Sequence, residues 1–159
     1  MPASGRKVYA THTIRFAKIA HAPLRYVYDW CTDFRADDGK FARTRTRYTV
    51  LRPAKNRVVR IRKAEPKSEP PVFAVELVRL LPPRAWHVDQ IDETDLASVD
   101  YRLSRLGPRL TKVELTVTER WMTKGFPSRS AYLHSVSVYW DRLVAGLEDR
   151  YRSGRPAKG

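Results

Sequence analysis

The pattern that most restricts this chain is a two-residue alternation that begins near Arg43 and continues, broken only by turn residues, to Thr118. A strand sends successive side chains to opposite faces, so alternation on this scale predicts consecutive strands, each with one apolar face. Arg43, Arg45 and Arg47 alternate with Thr44, Thr46, Tyr48 and Val50 ahead of the turn residues 53–56. Val59 and Ile61 alternate with Arg60 and Arg62 between Arg57 and Lys63. Beyond a Pro-containing loop from Glu65 to Pro71, Phe73, Val75 and Leu77 take one face of a fourth strand and Glu76 the other. Pro82-Pro83 and the acidic stretch 92–95 bound a strand from Trp86 to Ile91. Val99, Tyr101 and Leu103, then Val113, Leu115 and Val117, alternate with polar residues on either side of the Gly107-Pro108 turn. Upstream, His12, Ile14 and Phe16 alternate with Thr13 and Arg15 between Tyr9 and Ile19, which makes a first strand and seven in all.

Seven one-faced strands need a cover. After Ser128, a plausible N-cap, Leu133, Val136, Trp140, Leu143 and Leu147 recur at 3-4-3-4 spacing, the stripe of a long C-terminal helix. Pro23 opens a shorter amphipathic helix, expected to about Phe34, with Leu24, Val27, Tyr28 and Cys31 on its apolar side. Residues 35–39 form a turn or a second short helix. The expected organisation is one domain over residues 9–152, flanked by a flexible N-terminus, 1–8, and a flexible tail, 153–159, rich in Gly, Pro and Lys.

Composition narrows the chemistry. No apolar run is long enough to span a membrane, and the first ten residues lack the hydrophobic stretch of a secretory signal, so a soluble cytoplasmic protein is expected. The single cysteine, Cys31, suits a reducing compartment and cannot supply a Cys-rich zinc site. No G-x-G-x-x-G and no G-x-x-x-x-G-K-[ST] occurs, which removes the standard dinucleotide and P-loop cradles. His12, His21, His87 and His134 are far apart without H-x-x-x-H, so no metal and no cofactor are expected. A net charge of +14 favours an anionic partner of some kind.

The segment 19–28, in which Ile19-Ala20 is followed by Ala22-Pro23 and then Val27-Tyr28, with Asp33 beyond, resembles the opening of the START/SRPBCC superfamily. The run Trp140, Leu143, Leu147, Glu148 resembles its closing helix, and the likeness spans about residues 9 to 150. Arg25 stands where many members carry an acid. The resemblance implies an α+β helix-grip fold: a seven-stranded curved antiparallel sheet gripping the long helix, two short helices after strand one, and an apolar cavity between. Members bind lipids, sterols, polyketides and hormones, and some are polyketide cyclases or dehydratases. They share no catalytic set that can be carried over residue by residue.

In such a fold the pocket is expected on the inward face of the strands, at Tyr48, Phe73, Val75, Leu77, Trp86 and Val88, and at Tyr101, Leu103, Leu115 and Val117. Leu133, Val136 and Trp140 would close it from the helix. An enclosed space of about 300 Å³ or more is the size small-ligand sites require, whereas a solid core is the plainer alternative. The hydroxyls of Tyr48, Tyr101, Tyr132 and Tyr139 are its polar handles. His12 can point inward as a general acid or base, or serve as a hydrogen-bonded structural histidine.

From Arg43 to Lys63 the chain holds nine cations and no acid. Alternation puts Arg43, Arg45 and Arg47 on one side of strand two and Arg60 with Arg62 together on strand three, and the expectation is an outward cationic panel that binds polyanions. A solvated face that discourages edge pairing is the plain alternative. Two functions therefore stand side by side. One is binding of a hydrophobic small-molecule ligand in the cavity, with or without cyclase-type chemistry. The other is a non-catalytic adaptor whose basic hairpin docks on nucleic acid, an acidic protein or an anionic membrane.

Overall fold

The computed structural model describes residues 9–40, 45–65, 67, 70–92, 96–122 and 128–158. The strands are β1 (Tyr9–Ala20), β2 (Thr46–Ala54), β3 (Arg57–Ala64), β4 (Val72–Leu81), β5 (Ala85–Asp92), β6 (Leu96–Gly107) and β7 (Leu110–Met122). They form one antiparallel sheet in the order β1-β7-β6-β5-β4-β3-β2. From β2 onward each strand pairs with the next in sequence, as short turns dictate, whereas β1 and β2 lie at opposite edges. The chain between them must therefore cross the sheet. Among the described residues it does so as α1 (Leu24–Cys31) and a 3₁₀ turn at Asp38–Lys40, and this crossing brings residues 33–38 over the inner face.

Helix α1 begins after Pro23, whose φ of −61° suits a helix start, and stops at Cys31, earlier than the apolar spacing suggested. Its end is set locally: the Thr32 hydroxyl donates to the Tyr28 carbonyl at 2.8 Å, and Phe34 has a positive φ of 46°, which a helix cannot contain. Arg25 pairs with Asp29 across one turn, 2.9 Å apart.

Helix α2 (Arg129–Arg152) is capped by the Ser128 hydroxyl, which accepts from the Ala131 N–H at 3.2 Å. It buries Trp140 and Leu147 against the sheet and is pinned to β1 by Lys18, whose Nζ lies 2.6 Å from both Ser137 Oγ and Asp141 Oδ1. Leu147, Val27, Val58 and Val113 are fully buried, each contributing about 1.5–3 kcal/mol of apolar transfer to the fold. Among the described residues no helix is long and apolar enough to cross a membrane.

Part of the segment 153–159, expected as a flexible tail, lies against α1 and α2. Tyr26 Oη donates to the Arg155 carbonyl at 2.8 Å, Arg150 Nε to the Pro156 carbonyl at 2.6 Å, and Ala157 is buried. The expected flexible segment 1–8 lies outside the described residues.

Candidate functional site

Register turns the inner face into rows of side chains that cross the strands. One row is apolar throughout: Val58, Val78, Val88, Val99, Val117 and Ile14. Two residues along each strand, toward the end where α2 starts, the next row reads Val50, Arg60, Glu76, Gln90, Ala97, Glu119 and His12. On the other side of the valines lie Trp86, Tyr101, Leu115 and Phe16. The inner face thus runs from aromatic through aliphatic to polar within a few residues.

Between these rows, α2 and the crossing segment lies a cavity of about 340 Å³. Its walls carry Trp30, Phe34, Tyr48, Trp86, Tyr101, Tyr139 and Trp140, with Val88, Val99 and Leu143. Trp86 and Tyr101 are stacked, with centroids 4.5 Å apart and planes 9° from parallel, and Trp140 leans on Tyr101 at 5.9 Å. The polar lining is charged: Asp33, Arg35, Asp38, Arg60, Arg62 and Glu76.

Arg60 stands at the centre of that lining. It is 9% exposed, unusual for an arginine, and four groups account for its burial. Nε approaches Glu76 Oε2 to 2.7 Å without the alignment of a hydrogen bond, and Nη1 donates to Asp38 Oδ2 at 3.2 Å. The guanidinium carbon sits 3.9 Å from the Tyr48 ring centroid and 5.0 Å from that of Phe34, so two aromatic faces share its charge. Nη2 donates no hydrogen bond among the described residues.

Burial dominates the titration of the surrounding groups. It raises the Asp38 carboxyl, against the Arg35 backbone N–H and the Arg60 charge, which pull it down. It raises the Tyr48, Tyr101 and Tyr139 hydroxyls, so at neutral pH all three are neutral donors and none is a base. Tyr139 is 41% exposed overall, but its hydroxyl end lies among Tyr48, Arg60 and Glu76. The Cys31 thiol, on the same wall, is pushed up to about 12 by burial.

Of the residues expected to line a pocket, Tyr48, Trp86, Val88, Tyr101 and Trp140 do so. Leu103, Leu115 and Val117 face inward but are packed in the core, while Val136 packs against that core and Leu133 is half-buried on α2, all outside the cavity lining. Phe73, Val75 and Leu77 face the opposite way, 49%, 38% and 44% exposed, and Ala74, Glu76 and Val78 take the inner face of β4. The cause is register: Val58 pairs with Val78, Arg60 with Glu76 and Arg62 with Ala74, and paired residues share a face.

The outward cationic panel is corrected by the same fact. Arg45 and Arg47 are exposed, but Arg60 and Arg62 pair with Val50 and Tyr48 on the inner face, and the outward residues of β3 are Arg57, Val59, Ile61 and Lys63. Arg43 lies outside the described residues. His12 faces inward in register with Glu119, whose carboxylate accepts from the Tyr132 hydroxyl and is raised by burial. Among the described residues no group of three His, Cys, Asp or Glu is placed to hold a metal ion.

The fold has many counterparts among solved structures. The Zhui aromatase/cyclase from Streptomyces sp. R1128 superposes with a TM-score of 0.72 at 15% identity, covering 91% of this chain and 98% of its own. The chain has the helix-grip fold of START/SRPBCC proteins. Ara h 8.0201 shares it at a TM-score of 0.68 and 11% identity, over 91% and 99% of the two chains. So does norcoclaurine synthase from Thalictrum flavum, solved with dopamine and hydroxybenzaldehyde, at 0.63 and 8%, over 89% and 88%. No family model and no curated protein matches the sequence significantly. At these identities the helix-grip likeness is one of fold, and what the cavity does must be argued from its own side chains.

Proposed function

We propose that the cavity binds a flat, oxygen-bearing aromatic or polyketide-type molecule and promotes enolisation at a ketone within it. The observation that carries this reading is Arg60: a guanidinium held on three sides by Glu76, Asp38 and Tyr48, with Nη2 uncommitted beside aromatic walls. A planar ligand lies against Trp86, Tyr101 and Trp140, and a carbonyl oxygen accepts from Nη2. Removal of a proton from the adjacent carbon leaves negative charge on that oxygen, where a preorganised cation stabilises it most. The proton goes to Asp38, whose raised pKa makes it a better base than an ordinary aspartate. The neutral Tyr48 and Tyr139 hydroxyls donate to further ligand oxygens. The names of two counterparts, an aromatase/cyclase and a synthase solved with two small aromatic compounds, support a ligand of this kind.

The surface reading has less in its favour, because Arg60 and Arg62 leave the panel and only Arg45 and Arg47 of the five remain outward among the described residues. The test uses 2-acetylnaphthalene in D₂O, followed by NMR. The protein should bind it and accelerate deuterium exchange of its methyl protons, and Asp38→Asn should bind without exchanging. Binding without acceleration by the unsubstituted protein would make this a carrier and not an enzyme. Absence of binding would sink the pocket reading altogether.

A further inference from the structure

Among the described residues, Arg62 is the one cation of the cavity left without a counter-charge. The other charges are matched: Arg35 pairs with Asp33, and Arg60 with Glu76 and Asp38. Arg62 lines the same space, half-buried, two residues along β3 from Arg60. Its Nε is buried without a hydrogen-bond partner, and among the described residues no carboxylate lies within ion-pair distance of its guanidinium. A buried polar group without a partner is costly and rare, and a charged one more so. Its neighbours across the strands are Tyr48, which lines the cavity with it, and Ala74.

We propose that Arg62 is an anion subsite, and that the ligand of the cavity is an aromatic carboxylate whose carboxyl group seats on it. The inference rests on the pocket reading above and adds to it the class of ligand. The acids already in the cavity select a monoanion over a phosphate. Glu76 and Asp38 already stand around Arg60, so a dianion would meet two acids within the same small space for one free cation. The guanidinium offers parallel N–H groups that match one carboxylate. With the carboxyl group on Arg62, the ring system extends along the inner face past Arg60 toward the stacked Trp86 and Tyr101, which sets the ligand's direction in the cavity.

The test is a calorimetric comparison of 2-naphthoate, 2-naphthamide and 2-naphthyl phosphate on the whole chain at one ionic strength. The expected result is that 2-naphthoate binds about tenfold or more tighter than the isosteric amide, as a buried charge-assisted contact should. Arg62→Gln should remove that preference while keeping the amide's affinity, and Arg62→Lys should keep part of it. Arg45→Gln/Arg47→Gln, on the outer surface, should leave it unchanged, which separates a seated carboxylate from general attraction to a basic protein. Equal affinity for naphthoate and naphthamide overturns the anion subsite and leaves the pocket reading standing. Tighter binding of the phosphate overturns the choice of a monoanion. Binding of none of the three overturns both readings. Should Arg62→Gln fail to fold, the comparison on the unsubstituted protein and the Arg62→Lys variant still decide.

Discussion

Replacing Arg60 by methionine removes the cation on which the inner polar row is built, and the structure fixes what is left behind. Glu76, with a side chain 9% exposed, and Asp38, at 27%, would face each other's surroundings without a counter-charge. Removing one partner of a buried pair costs about 3–5 kcal/mol, and Asp38 can relax toward water, so the lower end applies: about 3 kcal/mol. Glu76→Met is milder, about 1.5 kcal/mol, because Asp38 and the Tyr48 ring still hold the guanidinium. The double substitution leaves only Asp38 without its arginine, and apolar pairs often replace buried ion pairs at little cost, so it should lose about 2 kcal/mol. The coupling is then about 2.5 kcal/mol, within the range for neighbours in one network. Equilibrium urea unfolding at neutral pH, followed by tryptophan fluorescence, measures all four states of the cycle. Additive single losses, or an Arg60→Met cost below about 1 kcal/mol, would refute the buried pair.

Three further expectations test other parts of the structure. Leu77→Asp, on the outer face of β4, should change stability by no more than about 0.5 kcal/mol, whereas Val78→Asp, 3% exposed, should lose more than about 3 kcal/mol; equal losses would contradict the assigned faces. His87 lies with Nδ1 2.8 Å from Asp100 and Nε2 2.9 Å from Asp89; burial lowers its pKa, but these two carboxylates outweigh it and the net shift is above the ordinary 6.5. Its stabilisation is complete below that ordinary value and lost as pH rises through the raised one, so thermal melts from about pH 6 to about 9 should fall more steeply for the unsubstituted protein than for His87→Asn, and parallel curves would count against the pair. Cys31 is half-buried, but its thiol is pushed from 9.0 to about 12, which makes the thiolate about a thousandfold scarcer near pH 8. Alkylation by iodoacetamide should be slower by about that factor in the native protein than in urea, and comparable rates would refute the burial.

Strand number and the α2 stripe were legible because periodicity depends only on the local spacing of apolar residues, whereas the antiparallel sheet came from the family resemblance. Which face of β4 turns inward was not, since the run Val72–Leu81 is apolar on both faces except at Glu76 and Arg79. An isolated glutamate in such a run reads as solvent-facing, and only pairing with Arg60 makes its burial affordable. That pairing is set by the β3–β4 register, a long-range fact. The signal that could have found it was the acid-free hairpin itself: Arg60 and Arg62 alternate with Val59 and Ile61, and Glu76 is the one acid within the neighbouring strand. The aromatic half of the cavity, Trp86, Tyr101 and Trp140, was legible because its strands are plainly one-faced. The wall from Asp33 to Asp38 was not, because it belongs to the crossing segment, whose position follows from β1 and β2 standing at opposite edges.

The central claim is that the charged inner face of the grip is the binding site. The measurement that tests it most directly is a ¹H–¹⁵N correlation spectrum of the protein titrated with 2-acetylnaphthalene. The account predicts shifts at the indole N–H groups of Trp86 and Trp140 and at the backbone amides of Arg60 and Glu76, with saturation at one ligand per chain. Shifts confined to the outer face, at Phe73, Val75 and Leu77, would contradict it.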